Sequence, residues 1–337
     1  MSQIHLMNFL NRKMTDDNFK ETFPFYKNKN ILVCGGDGFI GSHLTDLLLK
    51  SDAEITVSSR KFKQKNENKQ KVKHIQADFN DLRKCKEVVK DFDFVFNTTG
   101  KSGGIDYAMD NNKELFFKNS ILNLNLLLAI SESNVKRYQY LSSAAVYPRN
   151  AHSPLTESTD LHFNESFGYP DAKILGENQC KIFSDEIGLN ISVIRADNTF
   201  GPRDNFSETA RVIPSLIQKT LTSEKVLEVW GSGNQIRSFI FVKDLVRGML
   251  LGLEKYPEPD PINISSNEIV SIKKLVEIIL RLSKKDLDVR FNTKKPEGSL
   301  ERSLDISKAK KILGFESKWN LEKSLQNTID WFKEQKF

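Results

Sequence analysis

The stretch CGGDGFIGSHL, Cys34 to Leu44, decides how the whole chain is read. It follows directly on the apolar run NILVC (30–34), and its Ile40 and Leu44 continue with Leu47 and Leu48 along one helical stripe. A strand, a tight turn and a helix therefore follow one another without a linker. Gly35, Gly38 and Gly41 give the turn a G-x-x-G-x-x-G spacing. Glycines so placed allow a sharp turn and bring backbone N–H groups at a helix N-terminus close to a pyrophosphate. Gly35, Gly38, Phe39, Ile40 and Gly41 are the candidate dinucleotide cradle.

The same rhythm continues outward. EITVS (54–58), VKHIQ, DFVFN, a helix around ILNLNLLLAI, YQYLS, a helix over roughly 169–187 and ISVIR (191–195) alternate strand with helix. Such alternation predicts an α/β fold with a parallel sheet covered on both faces. After about residue 200 the strands shorten (VLEVW, SFIFV) and helices over 271–282 and 321–335 follow. The first of these carries Ile272, Leu275, Val276 and Ile279 at helical spacing. The predicted organisation is an N-terminal arm over 1–28, a dinucleotide-binding domain over 29–200 and a mainly substrate-binding region over 201–337, with some chain exchange between the last two. Residues 60–73 read as a polar, lysine-rich loop.

Composition narrows the classes. The chain has 337 residues, 39% of them hydrophobic, enough for a large core. A formal net charge of +6 is mild for a nucleic-acid binder and suits an anionic small molecule better. No apolar run reaches the ~18 residues of a membrane span, and the N-terminus lacks the apolar core of a secretory signal. Cys34, Cys85 and Cys180 are odd in number and widely spaced, which points to reduced thiols in the cytoplasm and not to disulfides or zinc.

The second strand usually selects the cofactor, through an acid at its end that holds the ribose 2′-hydroxyl. Here the strand ends Val57-Ser58-Ser59-Arg60, without an acid. Ser59 and Arg60 instead suit a 2′-phosphate, so NADP is slightly favoured over NAD. Asp37, in the glycine turn, weighs against this, because its carboxylate would repel that phosphate. Asp78, after the third strand, is placed to meet the adenine.

The reacting groups come next. In YPDAK, Tyr169 and Lys173 share one face of a helix, and SSAAVYP places Ser143 at the end of a strand. A lysine one turn away lowers the tyrosine pKa and can hold the nicotinamide ribose. The tyrosine then exchanges a proton with a substrate oxygen as hydride moves, and the serine shares that hydrogen bond.

With GGDGFIG, SSAAVYP and YPDAK, and further with RADNTFGPRDNF, VWGSGNQIRSFIFVKDL and PEGSLERSLDISKAKKILGF, the chain resembles the extended short-chain dehydrogenase/reductase family over about 30–335. That family holds nucleotide-sugar epimerases, dehydratases and reductases. TTGKSGGI (98–105) and FGPRDNF…ARVIP resemble its GDP-fucose synthase and GDP-mannose 3,5-epimerase groups most. The resemblance implies a Rossmann-type doubly wound parallel sheet with a smaller C-terminal substrate-binding region. It implies that Asn198 holds the sugar diphosphate and that Val212 to Leu216 and Trp230 wall the base. Arg237 and Arg302 would neutralise the diphosphate, Lys101 would approach the sugar, and Arg203 is a further substrate-binding candidate. A homodimer through the helices near 115–130 and 170–187 is also implied.

The chain departs from its relatives at the proton-moving positions. Those two groups carry a cysteine where this chain has Ala145, and GDP-fucose synthase has a histidine where this chain has Arg203. Family dehydratases carry Asp-Glu in place of Ala144 and Ala145. The expected activity is therefore NAD(P)-dependent redox chemistry at C4 of a sugar nucleotide, GDP-linked by resemblance, without epimerisation at C3 or C5. A 4-epimerase with retained NAD is the alternative, and a non-catalytic nucleotide-sugar sensor is a third reading, against which the complete triad argues.

Overall fold

The computed structural model describes residues 22–61, 72–163, 167–295 and 297–336. Most of the N-terminal arm and of the lysine-rich loop lies outside the described residues. The central sheet has seven strands in the order β3-β2-β1-β4-β5-β6-β11, all parallel. They are β1 (Asn30–Cys34), β2 (Glu54–Ser59), β3 (Lys73–Gln76), β4 (Phe94–Asn97), β5 (Arg137–Ser143), β6 (Asn190–Ala196) and β11 (Ile262–Ile264). The chain therefore reverses direction between β1 and β4, which opens a crevice at the strands' C-terminal ends.

Burial on both faces explains the unbroken apolar runs. In β1, Ile31 and Val33 join one core, and Leu32 and Cys34 join the other. This is the two-residue alternation of a strand. On the first face lie α1 (Phe39–Leu48) and α7 (Val242–Lys255). The second face carries α2 (Leu82–Val88), α4 (Asn112–Ser131) and α5 (Gly168–Ile187). Helix α3 (Ile105–Asp110) runs directly into α4.

The described end of the N-terminal arm plugs the sheet. The Tyr26 hydroxyl donates to the Leu250 carbonyl at 2.6 Å, and Phe25 stacks on Phe94 with ring centres 5.2 Å apart. The C-terminal region is not a separate body, since it returns α7 and β11 to the central layer. Its own part holds α6 (Val212–Thr222), α8 (Ile272–Ser283), α9 (Ser307–Leu313), α10 (Leu321–Lys336) and small sheets. In these, β8 (Val226–Trp230) pairs with β13 (Asp288–Asn292), and β9 (Ile236–Ser238) lies between β12 (Ile269–Ser271) and β14 (Glu301–Arg302). A short parallel pair, β7 (Thr199–Phe200) with β10 (Ile240–Phe241), completes the strands. All three cysteines are free and buried. No helix among the described residues is long and apolar enough to cross a membrane.

Candidate active site

The ends of β1, β2, β4 and β5 converge at the crevice. The β1–α1 turn is tight. Gly35 sits at φ +80°, and the Gly38 N–H donates to its carbonyl at 2.9 Å. A methyl on Gly41 would lie 2.3 Å from the Gly35 oxygen and 2.6 Å from Thr98 Oγ1. The Thr98 hydroxyl is itself fixed on the Cys34 carbonyl at 2.7 Å. The backbone thus comes as close to β4 as it can, leaving the helix N-terminus open with Phe39 and Ile40 in its first turn. Gly41→Ala should cost about 1–3 kcal/mol through overpacking. Because that strain moves the cradle, dinucleotide affinity should fall more than about tenfold. Fluorescence titration and a thermal melt check both, and unchanged affinity would remove the turn as the cofactor site.

Asp37 supplies what the end of β2 lacks. One of its carboxylate oxygens accepts from Ser59 Oγ at 3.0 Å, and the other is buried without a partner. An orphaned acceptor at the switch point fits a ribose hydroxyl donor. Arg60 is exposed, and its carbonyl accepts from Gln76 Nε2 at 3.0 Å. Asp78 spends one carboxylate oxygen on its own turn, accepting from the Asn80 backbone at 3.1 Å and the Asn80 side chain at 2.6 Å.

Ser143 ends β5, and Tyr169 and Lys173 lie on the first turns of α5, where Pro170 is tolerated because early helix N–H groups have no intrahelical acceptor. The Ser143 hydroxyl accepts from the Ala145 N–H at 3.1 Å and is close enough to the Tyr169 phenol to pull its pKa down. Lys173 is 5% exposed and donates to the Leu141 carbonyl at 2.6 Å, with its ammonium 5.8 Å from the Tyr169 ring centre. Burial raises the Tyr169 pKa, against the pull of the Ser143 hydrogen bond and the Arg211 charge. The lowering expected from Lys173 is thus reversed in this geometry: burial dominates, and the phenol holds its proton. Burial also pushes the Lys173 ammonium down to about 8, opposed by the Glu177 charge.

Farther along the crevice, Arg237 and Arg302 approach each other, joined by Arg149. Burial holds all three guanidiniums below their usual pKa. Arg302 Nη2 donates to the carbonyls of Ala144 and Tyr147 at 2.6 and 2.9 Å, and Arg237 Nη2 donates to that of Ser299 at 2.6 Å. Buried Asp197 is a carboxylate near Arg237 and Arg302, exposed Glu297 is a second one near Arg237, and the Asn198 amide beside Asp197 donates to the Ser238 carbonyl at 3.1 Å. Three cations against these two carboxylates suit a diphosphate. Trp230 has the Lys219 and Lys295 ammoniums over its ring at 5.2 and 4.8 Å, and Val212, at the start of α6, is exposed.

Two candidates sit elsewhere than expected. Arg203, at φ +68°, turns onto α1, where its guanidinium meets Asp46 Oδ2 at 2.5 Å and His43 Nδ1 at 2.9 Å. Lys101 is paired with Glu114 Oε2 at 2.9 Å and lies over the Tyr107 ring at 5.5 Å. Arg149, Arg211 and Asp204 were missed. The Arg211 guanidinium faces Phe39 at 6.0 Å and pairs with Asp204 Oδ1 at 3.2 Å. No spacing rule marks these residues, because long loops bring them in.

A glycine cradle at the switch point and a Ser–Tyr–Lys group at the next strand end define a dinucleotide-dependent enzyme that works on a hydroxyl or carbonyl carbon. The chain belongs to the NAD dependent epimerase/dehydratase family, which matches residues 31–265. It is 31% identical over 313 residues to GDP-mannose 3,5-epimerase 1 of Oryza sativa subsp. indica, covering 90% of this chain and 82% of that one. It is 28% identical over 322 residues to dTDP-4-dehydro-6-deoxy-D-allose reductase of a Streptomyces species, covering 91% and 97%. Among solved structures, UDP-N-acetylglucosamine 4-epimerase from Methanobrevibacter ruminantium M1, in complex with UDP-N-acetylmuramic acid, superposes with a TM-score of 0.83 at 30% identity, covering 92% and 99%. The chain is thus an NAD(P)-dependent enzyme of the sugar-nucleotide epimerase, reductase and dehydratase class.

Proposed function

We propose that the chain is a sugar-nucleotide 4-ketoreductase that leaves C3 and C5 untouched. The observation that carries this reading is the placement of Ser143 at the end of β5 and Tyr169 at the start of α5, next to two alanines that cannot move protons. A reduced nicotinamide, when bound, supplies the hydride. Tyr169 donates its proton to the C4 oxygen, Ser143 orients that oxygen, and Lys173 holds the nicotinamide ribose. Arg149, Arg237, Arg302 and Asn198 take the diphosphate, and Trp230 with Val212 to Leu216 walls the base. The base is guanine on the likeness to GDP-mannose 3,5-epimerase, although the other relatives are named for dTDP and UDP sugars. Turnover of GDP-, UDP- and dTDP-linked 4-keto sugars, followed by loss of cofactor absorbance, tests both the reaction and the base. Reduction of none of them, with C4 inversion of a 4-hydroxy substrate instead, would favour the 4-epimerase.

The Asp37 carboxylate, bonded to Ser59 at the end of β2, supports NAD over the NADP that the sequence favoured, because its charge would repel a 2′-phosphate held by Ser59. NADH should bind more tightly than NADPH, and Asp37→Asn should shift the ratio toward NADPH by about tenfold, the effect of roughly one 1.4 kcal/mol interaction. Fluorescence titration of both cofactors measures it. Preference for NADPH in the unaltered protein, abolished by Arg60→Ala, would return the assignment to Arg60.

The working form is a homodimer. Phe117 and Ile182 are 64% and 59% exposed on α4 and α5, with Met109, Phe116 and Ile187 also exposed, and a second copy would cover them. Sedimentation should give a dimer that Phe117→Glu converts to a monomer. A monomer before substitution would remove this part of the reading.

A further inference from the structure

We infer that Glu177 is a positioning residue for the reacting centre, holding Lys173 charged and in place from behind the end of β5. The inference rests on the reading of Lys173 as the lysine that holds the nicotinamide ribose.

Glu177 stands one turn beyond Lys173 on α5 and is 7% exposed. The two side chains grip successive residues of one strand. Lys173 donates to the Leu141 carbonyl at 2.6 Å, and Glu177 Oε1 accepts from Ser142 Oγ at 2.5 Å. Ser143, which orients Tyr169, follows immediately. Arg195 of β6 saturates the rest of the carboxylate, with Nε at 3.0 Å from Oε1 and Nη2 at 2.7 Å from Oε2. Arg195 Nη1 in turn donates to the Tyr147 hydroxyl at 2.9 Å, and that hydroxyl donates to Asn263 Oδ1 of β11 at 2.7 Å. One carboxylate thus ties α5, β5 and β6, and through Arg195 the SSAAVYP segment and β11.

A buried ion pair rarely stabilises a fold more than packed hydrophobes would. Its position therefore asks for another reason, and the charges around Lys173 supply one. On α5 these are Glu177, the neutral thiol of Cys180 and Tyr169. From β5 the lysine meets the Tyr140 ring at 4.8 Å, and β6 brings Arg195 only behind Glu177. Among the described residues, Glu177 is the carboxylate that acts on Lys173. Burial drives the lysine toward its neutral form, and Glu177 opposes this. A neutral lysine has one donor fewer and no charge with which to hold a ribose hydroxyl or steady a developing phenolate.

The test is the pH dependence of NADH affinity, by fluorescence, together with the pH profile of kcat/KM. In the unaltered protein, affinity should weaken as pH rises through about 8, where Lys173 loses its proton. Glu177→Gln should move that break down by about one pH unit, making NADH about threefold weaker just below the original break and about tenfold weaker well above it. Glu177→Asp should recover most of the shift. Since Glu177→Gln leaves Arg195 buried and unpaired, a Glu177→Gln/Arg195→Gln double variant provides a neutral pair that folds without an orphaned charge, and its break should also lie below that of the unaltered protein. A lower melting temperature with an unmoved break in the double variant would overturn the inference and leave Glu177 as a structural ion pair. Lys173→Met separates the two readings. A break that persists without Lys173 would refute the lysine's assignment itself, whereas one that vanishes in Lys173→Met yet stays fixed in both Glu177 variants would refute only the role of Glu177.

Discussion

Tyr169→Phe is expected to cut turnover by about 10²–10⁴-fold while leaving cofactor and sugar-nucleotide affinity within a few-fold of normal. The loss corresponds to about 3–5 kcal/mol of activation free energy. Hydride arriving at C4 puts negative charge on the carbonyl oxygen, and that charge needs a proton as it forms. The Tyr169 phenol, like any tyrosine, holds one at neutral pH, and burial raises its pKa further. Ser143 lies beside the same phenol and lacks acidity of its own, so it cannot replace the proton. Phenylalanine keeps the ring and its packing, so binding survives. Steady-state turnover and cofactor titration on the same preparation check the split. Near-normal turnover in the variant would require another acid, and Asp204 would be the first to examine, because burial raises its pKa against the pull of its partner Arg211.

The fold was legible because its signals are local and repeated. The apolar alternation of β1, the glycine turn and the α1 stripe each follow from neighbouring residues, and the parallel sheet follows from their recurrence. The Ser143–Tyr169 contact was legible for a similar reason: one residue ends a strand and the other opens the helix packed beside it. The electrostatics were not. Whether Lys173 or burial governs Tyr169 depends on how much of the sheet covers the phenol, which no spacing records. Asp37 was seen in the sequence as a repulsive charge, and its bond to Ser59 needed the register of β1 against β2. Arg203 was read into the substrate site from its motif, yet a positive φ turns its side chain onto Asp46 and His43. The return of β11 to the central sheet was equally hidden, since INI is too short to announce a strand.

In D₂O, reduction of a GDP-linked 4-keto sugar is expected to give a product with protium at both C3 and C5. Inverting either carbon beside a keto group needs one group to remove a proton and another to return one on the opposite face. By the family resemblance Ala144 and Ala145 take the places of such groups, and a methyl does neither. Arg203 is bound to α1, and an arginine is no base at neutral pH. Lys101 is engaged by Glu114, which raises its pKa and keeps it protonated, so it is a poor base as well. His152 and His162 are exposed to solvent. On the proposed reading, the Ser143, Tyr169 and Lys173 group serves the C4 oxygen, and Asp204, whose pKa burial raises, is the acid left to test. Proton NMR of the product, compared with an enzyme-free control, decides the matter. Enzyme-dependent deuterium at C3 or C5 would refute C4-only chemistry. Loss of that deuterium in Asp204→Asn would then mark Asp204 as the relocated base.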